Sequence, residues 1–210
     1  MIVFTNFKKR FKRNPEEILN IPDLVLDNRI YWLKGKNGAG KTSLVKSMAG
    51  IIPFEGEISV DGLSLNKNRM EYRLRINYAE AEPLYPDFLK GTDLVDLYRY
   101  TKKAATDQVK SLLKRFAMPA YINNKIGSYS SGMTKKLSLL LAFMGSPRLI
   151  LLDEPFITLD PQALQMVEEL IAEYHDKGCG FIIPSHQGFT IPGINPAMPI
   201  VLEDKKILLP

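Results

Sequence analysis

The sequence predicts an α/β fold with a mostly parallel core sheet, an N-terminal antiparallel β subdomain and an inserted helical subdomain over roughly residues 80–145. Three observations carry that prediction. The first 65 residues alternate short strands and turns, the middle third holds successive helical patterns, and residues 149–183 read strand, helix, strand. A βαβ unit at that spacing demands a parallel pair, because the crossover helix brings the chain back to the end where the first strand began.

Taken in order, Ile2 to Phe7 reads as a strand, and Ile30-Tyr31-Trp32-Leu33 as a compact apolar strand ending at Gly35. Thr42 to Ala49 reads as a helix, closed by Gly50 where a left-handed cap commonly sits. Ile58 and Val60 alternate with polar Glu57, Ser59 and Asp61, and Asp61-Gly62 supplies a hairpin turn before Leu63 and Leu65. Helical spacing relates Leu94, Leu97 and Tyr98, and then Val109, Leu112, Leu113 and Phe116 ahead of Pro119. Thr134 to Met144 is apolar on most faces and reads as a buried helix. Leu149 to Leu152 is a continuous apolar run, the pattern of a strand covered on both faces. Asp160-Pro161 opens the next helix as cap and first residue, Gly178 ends it, and Phe181-Ile182-Ile183 is the following strand.

Composition narrows the function classes. Lys and Arg number 28 against 23 Asp and Glu, too small an excess to demand a polyanionic partner, so no nucleic acid is expected. A single cysteine, Cys179, excludes an internal disulfide and a cysteine-built zinc site, and fits a reducing cytosol. Two histidines, His175 and His186, leave little room for a histidine-rich metal centre. The longest stretch free of charged residues, Gly178 to Leu202, is interrupted by Pro184, Pro192, Pro196 and Pro199, which a lipid-exposed helix does not tolerate. The basic run Lys8-Lys9-Arg10 follows the first apolar residues instead of preceding them, so no secretory signal is expected.

The strongest chemical signal is Gly35-Lys36-Asn37-Gly38-Ala39-Gly40-Lys41-Thr42, which satisfies G-x-x-x-x-G-K-[ST] between a buried strand and a helix. Its glycines let successive N–H groups turn inward on phosphate oxygens, and the helix N-terminus adds partial positive charge there. Lys41 is expected to reach the β- and γ-phosphates and the Thr42 hydroxyl to ligate Mg²⁺, with Asn37, Gly38, Ala39, Gly40 and Ser43 completing the nucleotide contacts. Asp153 and Glu154 emerge at the carboxyl end of the Leu149–Leu152 strand, where open α/β sheets bind ligands. Asp153 is expected to hold Mg²⁺ through a water, and Glu154 to orient or deprotonate an attacking water.

Three further features resemble the ATP-binding cassette (ABC) proteins. Ser130-Ser131-Gly132-Met133, just before a helix, resembles their signature motif, usually L-S-G-G-Q; Leu159-Asp160 resembles their D-loop; and Ser185-His186 resembles their switch histidine. The resemblance covers essentially the whole chain in the right order. It implies one phosphate-loop ATPase cassette over 1–210, the nucleotide-binding subunit of an ABC transporter, with ATP and Mg²⁺ as cofactors. It also implies that Ser130, Ser131 and Gly132 touch the nucleotide held by a second subunit, so that a homodimer or heterodimer sandwiches two nucleotides head to tail. His186 would then act on the γ-phosphate and the water, while His175 is read as structural on a solvated helix face.

An aromatic in the N-terminal segment stacks on adenine in this family, which here points to Phe11, with Phe7 as runner-up. The surrounding run Lys8 to Arg13 also reads as a solvated loop, or as a patch drawn to anionic lipid headgroups. One family element is altered. Where a glutamine usually follows Y-x-x, Tyr78-Ala79-Glu80-Ala81-Glu82 places Ala81, and only neighbouring Glu82 offers a carboxylate for Mg²⁺. The resemblance implies separate transmembrane permease subunits as partners and a cytoplasmic location, peripheral on the inner face of the cell membrane. Two alternatives stand beside it: a soluble nucleotide-gated clamp unconnected with transport, and an ATP binder with weak turnover.

Overall fold

The computed structural model describes residues 1–11, 14–189, 191, 193 and 197–210, with 14 and 15 described by backbone alone. Lys12 and Arg13 of the basic run, and Pro192 and Pro196, therefore lie outside the described residues. The N-terminal strand runs further than its pattern suggested. It forms β1 (Ile2–Phe11) and pairs antiparallel with β2 (Asn14–Leu26), a strand whose alternation is broken by Pro22 and Asp23. Pro22 fits because β2 lies at the edge of its sheet, where a missing N–H costs no ladder bond.

After β3 (Ile30–Lys34) and α1 (Lys41–Met48), Gly50 takes the left-handed φ of 69° that ends the helix. β4 (Glu55–Val60) and β5 (Leu63–Ser64) are joined by Asp61 and Gly62, both at positive φ as a tight hairpin turn requires. A short helix α2 (Arg69–Arg75) and a strand β6 (Ile76–Ala79) follow, neither of which the sequence pattern had announced. Between β6 and the next strand come α3 (Gly91–Thr101), α4 (Thr106–Arg115), one 3₁₀ turn at Ile126–Ser128, and α5 (Ser131–Ala142). β7 (Leu149–Leu152), α6 (Pro161–Asp176) and β8 (Gly180–Pro184) make the expected βαβ unit. The chain then returns as a hairpin, β9 (Met198–Glu203) and β10 (Lys206–Leu208).

Two sheets result. One is antiparallel, in the order β2-β1-β4-β5; the other runs β10-β9-β3-β8-β7-β6 and is parallel at every pairing except β10 with β9. Every residue of β7 and β8 is buried, because alternate side chains enter different cores. Ile150, Leu152, Phe181 and Ile183 join the cluster formed with α4, α5 and α6. Leu149, Leu151 and Ile182 face α1 and the antiparallel sheet instead. This double coverage explains the unbroken apolar runs in the sequence. It also sets the carboxyl ends of β3, β8 and β7 side by side, and the candidate site is built there.

Candidate functional site

The loop from Gly35 to Gly40 joins β3 to α1 and closes on Gly40 at φ 103°, a backbone state open to glycine alone at low cost. A Cβ at Gly40 would also stand 3.0 Å from the Leu19 side chain and 3.1 Å from that of Ile18, so β2 presses directly on the loop. Lys41 opens α1, largely buried, and its Nζ donates to the carbonyl oxygens of Gly35 at 2.8 Å and Lys36 at 3.3 Å. The same Nζ lies 3.5 Å from His186 Nε2.

β7 and β8 deliver the acids and the histidine. Asp153 is buried, and burial pushes its carboxyl above the usual range, a shift opposed by a hydrogen bond from the Thr42 side chain. Its Oδ2 is buried with no hydrogen-bond partner among the described residues. Glu154 sits at φ 45°, a left-handed state that a non-glycine residue holds only when its surroundings enforce it. Its N–H donates to the Pro184 carbonyl oxygen at 3.0 Å, and its Oε2 accepts from the His186 N–H at 3.4 Å. His186 Nε2 lies 3.6 Å from Glu154 Oε1, which is itself buried without a hydrogen bond among the described residues. The segment carrying His186 is steadied by Trp32, whose Nε1 donates to the Ser185 carbonyl at 2.9 Å. Phe189 then packs against both Trp32 and Phe156.

These residues surround a cavity of about 480 Å³ lined by Phe11, Ile18, Asn37, Gly38, Gly40, Lys41, Thr42, Ser43, Asp153, Glu154 and His186. Ala39 is absent from the lining; its methyl packs on the core cluster beneath. Phe11 reaches the cavity rim at 43% exposure, with Lys9 Nζ 4.5 Å from its ring centre. Phe7, the alternative aromatic, is corrected: it is fully buried against Phe4 and Phe54 and presents no face to a ligand. The reading of the basic run as a solvated loop is corrected as well, since Lys8 to Phe11 continue β1. Lys9 is buried with its Nζ on the Pro53 carbonyl, while Lys8 and Arg10 pair with Glu17.

Other predicted residues lie outside this cavity. Ser130, Ser131 and Gly132 form the N-terminus of α5, where the Ser130 Oγ accepts from the Met133 N–H at 3.2 Å. Asp160 caps α6 through the Ala163 N–H at 2.8 Å and pairs with Lys136 at 2.7 Å. Glu82 is exposed and does not line the cavity. His175 is a structural residue, its Nδ1 3.1 Å from the Cys179 carbonyl oxygen.

Two residues escaped sequence reasoning. Ile18 belongs to a strand that no pattern revealed. Lys135 had a signal: it shares a helix face with Ser138 and Leu139 at i+3 and i+4, a face too apolar for a solvated lysine. Its Nζ donates to the carbonyl oxygens of Glu80, Ala81 and Asp153 at 2.9, 3.0 and 3.1 Å, and burial pushes its ammonium down to about 8.

Comparison with known proteins places this geometry. A family model described as "ABC transporter" matches residues 25–157. The ABC transporter ATP-binding protein NatA of Bacillus subtilis is 28% identical over 195 residues, covering 89% of this chain and 79% of NatA. EcsA, an ABC-type transporter ATP-binding protein of the same organism, is 28% identical, covering 84% of this chain and 73% of EcsA. Among solved structures, an ATP-binding subunit of an ABC transporter superposes with a TM-score of 0.86 at 23% identity, covering 99% of this chain and 88% of that one. A dimeric ATP-binding cassette in a post-hydrolysis state, bound to ADP and Pi, superposes with a TM-score of 0.81 at 20% identity, covering 99% and 96%.

Proposed function

The chain belongs to the ABC transporter family as an ATPase, and on that premise we propose that it binds and hydrolyses MgATP to drive transport through separate membrane subunits. One observation carries the proposal: His186 Nε2 lies 3.5 Å from Lys41 Nζ and 3.6 Å from Glu154 Oε1, beside a glycine loop at a helix N-terminus. Lys41 would bind the β- and γ-phosphates as a point charge, with the loop N–H groups and the α1 N-terminus beside it. Glu154 would orient and deprotonate the attacking water, and His186 would hydrogen-bond the γ-phosphate and that water. Phe11, Asn37 and Ser43, all on the cavity wall, would complete the nucleotide contacts.

The donor set suits Mg²⁺, because Thr42 and Asp153 offer oxygen ligands and Asp153 Oδ2 is buried with no hydrogen-bond partner among the described residues. When bound, the metal would neutralise phosphate charge. Ser130, Ser131 and Gly132 supply anion-binding donors outside the cavity, which supports a head-to-tail pairing with a second ATPase subunit. A groove of about 1210 Å³ runs between α2 and α3, edged by Met70, Leu97 and Tyr100, all more than half exposed. Its exposed apolar wall and the neighbouring Arg73, Lys102 and Lys103 fit a short amphipathic cytoplasmic segment of a permease. Among the described residues no helix is long and apolar enough to cross a membrane, in keeping with a spanning part on another chain.

The test is phosphate release by wild type and Glu154→Gln, with size-exclusion of the variant in ATP. Loss of hydrolysis with an ATP-dependent dimer supports the proposal; equal rates in both proteins overturn the role of Glu154. A second reading, ATP binding with weak turnover, rests on Ala81, whose methyl offers no ligand at the position that the resemblance to the ABC pattern assigns to a glutamine. Saturable nucleotide binding with no phosphate release would favour it.

A further inference from the structure

We propose that Lys135 is a positioning residue for ATP hydrolysis, pinning the Asp153–Glu154 peptide and the Glu80–Ala81 backbone to the helix that carries Ser130 and Gly132. The inference rests on the reading of Glu154 as the group that activates water. An ammonium has three N–H donors, and here all three are used, on the carbonyl oxygens of Glu80, Ala81 and Asp153. At 1% exposure Lys135 contacts no bulk water, so these backbone oxygens take the place of its hydration shell.

The Asp153 carbonyl belongs to the peptide bond leading into Glu154. That peptide is held at both ends: its oxygen accepts from Lys135, and its N–H donates to the Pro184 carbonyl at 3.0 Å. Glu154 sits at φ 45°, and such a state persists when flanking contacts over-determine it. Lys135 therefore supplies one of the two contacts that aim the Glu154 carboxylate toward His186 and Lys41. The same ammonium lies about one and a half turns into the helix from Ser130, so signature helix and carboxylate move as one piece. It also fixes the segment where Ala81 replaces the expected glutamine, by backbone contacts that need no glutamine side chain.

The test compares Lys135→Met, which removes all donors at similar length, with Lys135→Gln, which keeps two. Phosphate release gives kcat, and a fluorescent ATP analogue gives nucleotide affinity. We expect kcat to fall about tenfold or more in the Met variant and about threefold in the Gln variant, with affinity within about twofold of wild type in both. That split separates positioning from a merely structural role, which would lower stability and leave kcat per folded molecule unchanged. If the Met variant does not fold, the Gln variant decides alone. A folded variant with wild-type kcat, or one losing affinity as much as kcat, overturns the inference. Absence of hydrolysis in wild type, with no ATP-dependent dimer of Glu154→Gln, overturns the function reading instead, and this inference with it.

Discussion

The N-termini of α1 and α5 lie in different surroundings. α1 begins after a glycine with no side-chain cap, and β7 and β8 bring Asp153, Glu154 and His186 to it. α5 is capped by its own Ser130, and the nearby Lys136 is already paired with Asp160. The first has donors, a buried cation held on the Gly35 and Lys36 carbonyl oxygens, and carboxylates, the set that hydrolysis would need. The second has donors only, which suits recognition of a charge held elsewhere. Under the proposed function, one copy would carry the reacting groups and half of the clamp, and a second subunit would supply the other half.

The largest expected effect tests the first helix. Glu154→Gln should lower phosphate release by about 10²–10⁴-fold, the usual worth of a general base, and retention of the wild-type rate would dissolve the contrast. Next comes Lys41→Met, which removes a charge-assisted contact and should weaken nucleotide affinity by about 10–100-fold. Trp32 reports on this without a label, being the only tryptophan in the chain and bonded to the residue before His186. A titration that perturbs its fluorescence equally in wild type and Lys41→Met would count against the assignment.

Ser130→Ala sharpens the contrast from the other side. It should lower kcat by about tenfold through one lost charge-assisted hydrogen bond, and stability by about 1 kcal/mol through the lost cap, with nucleotide affinity of the isolated subunit unchanged. Weakened binding by the single subunit would show that α5 serves its own nucleotide. The smallest effect lies outside both helix ends. Lys102 Nζ donates to the carbonyl oxygens of Arg73 and Ile76, and burial pushes its ammonium from 10.5 down to about 8. Between those values the unfolded chain binds more protons than the folded one, so stability rises with pH. Thermal melts at about pH 8 and about pH 10 should show wild type gaining on Lys102→Met by roughly 1.4 kcal/mol per pH unit at most. Nucleotide affinity should not follow.

Much of the site was legible because its chemistry is local. The loop at 35–42 would bind phosphate through its own backbone, and the acids at 153–154 sit at the end of an apolar run, so adjacency in sequence is adjacency in space. The resemblance pointed to Phe11 ahead of Phe7, but the alternation of β1 did not show why Phe7 is buried. Asn6 at φ 49° and a register shift between Thr5 and Lys8 change which residues of β1 face inward, and alternation alone cannot anticipate that step. β2 was hidden for a similar reason: Pro22 and Asp23 disguise a strand that exists because β1 pairs with it.

By itself, then, the order of residues determined the parallel core, the phosphate loop, the paired acids and the resemblance to the ABC proteins, since each is written in contiguous residues whose periodicity and backbone freedom act over a few positions. Only the tertiary structure decided that Phe11 and Ile18 share a wall with Lys41, that His186 meets Glu154, and that Lys135 closes on three carbonyl oxygens from two distant segments. Those contacts join residues far apart in the chain. They arise when strand order and burial bring the segments together, and a buried polar group then takes whichever partners the packing has placed within reach.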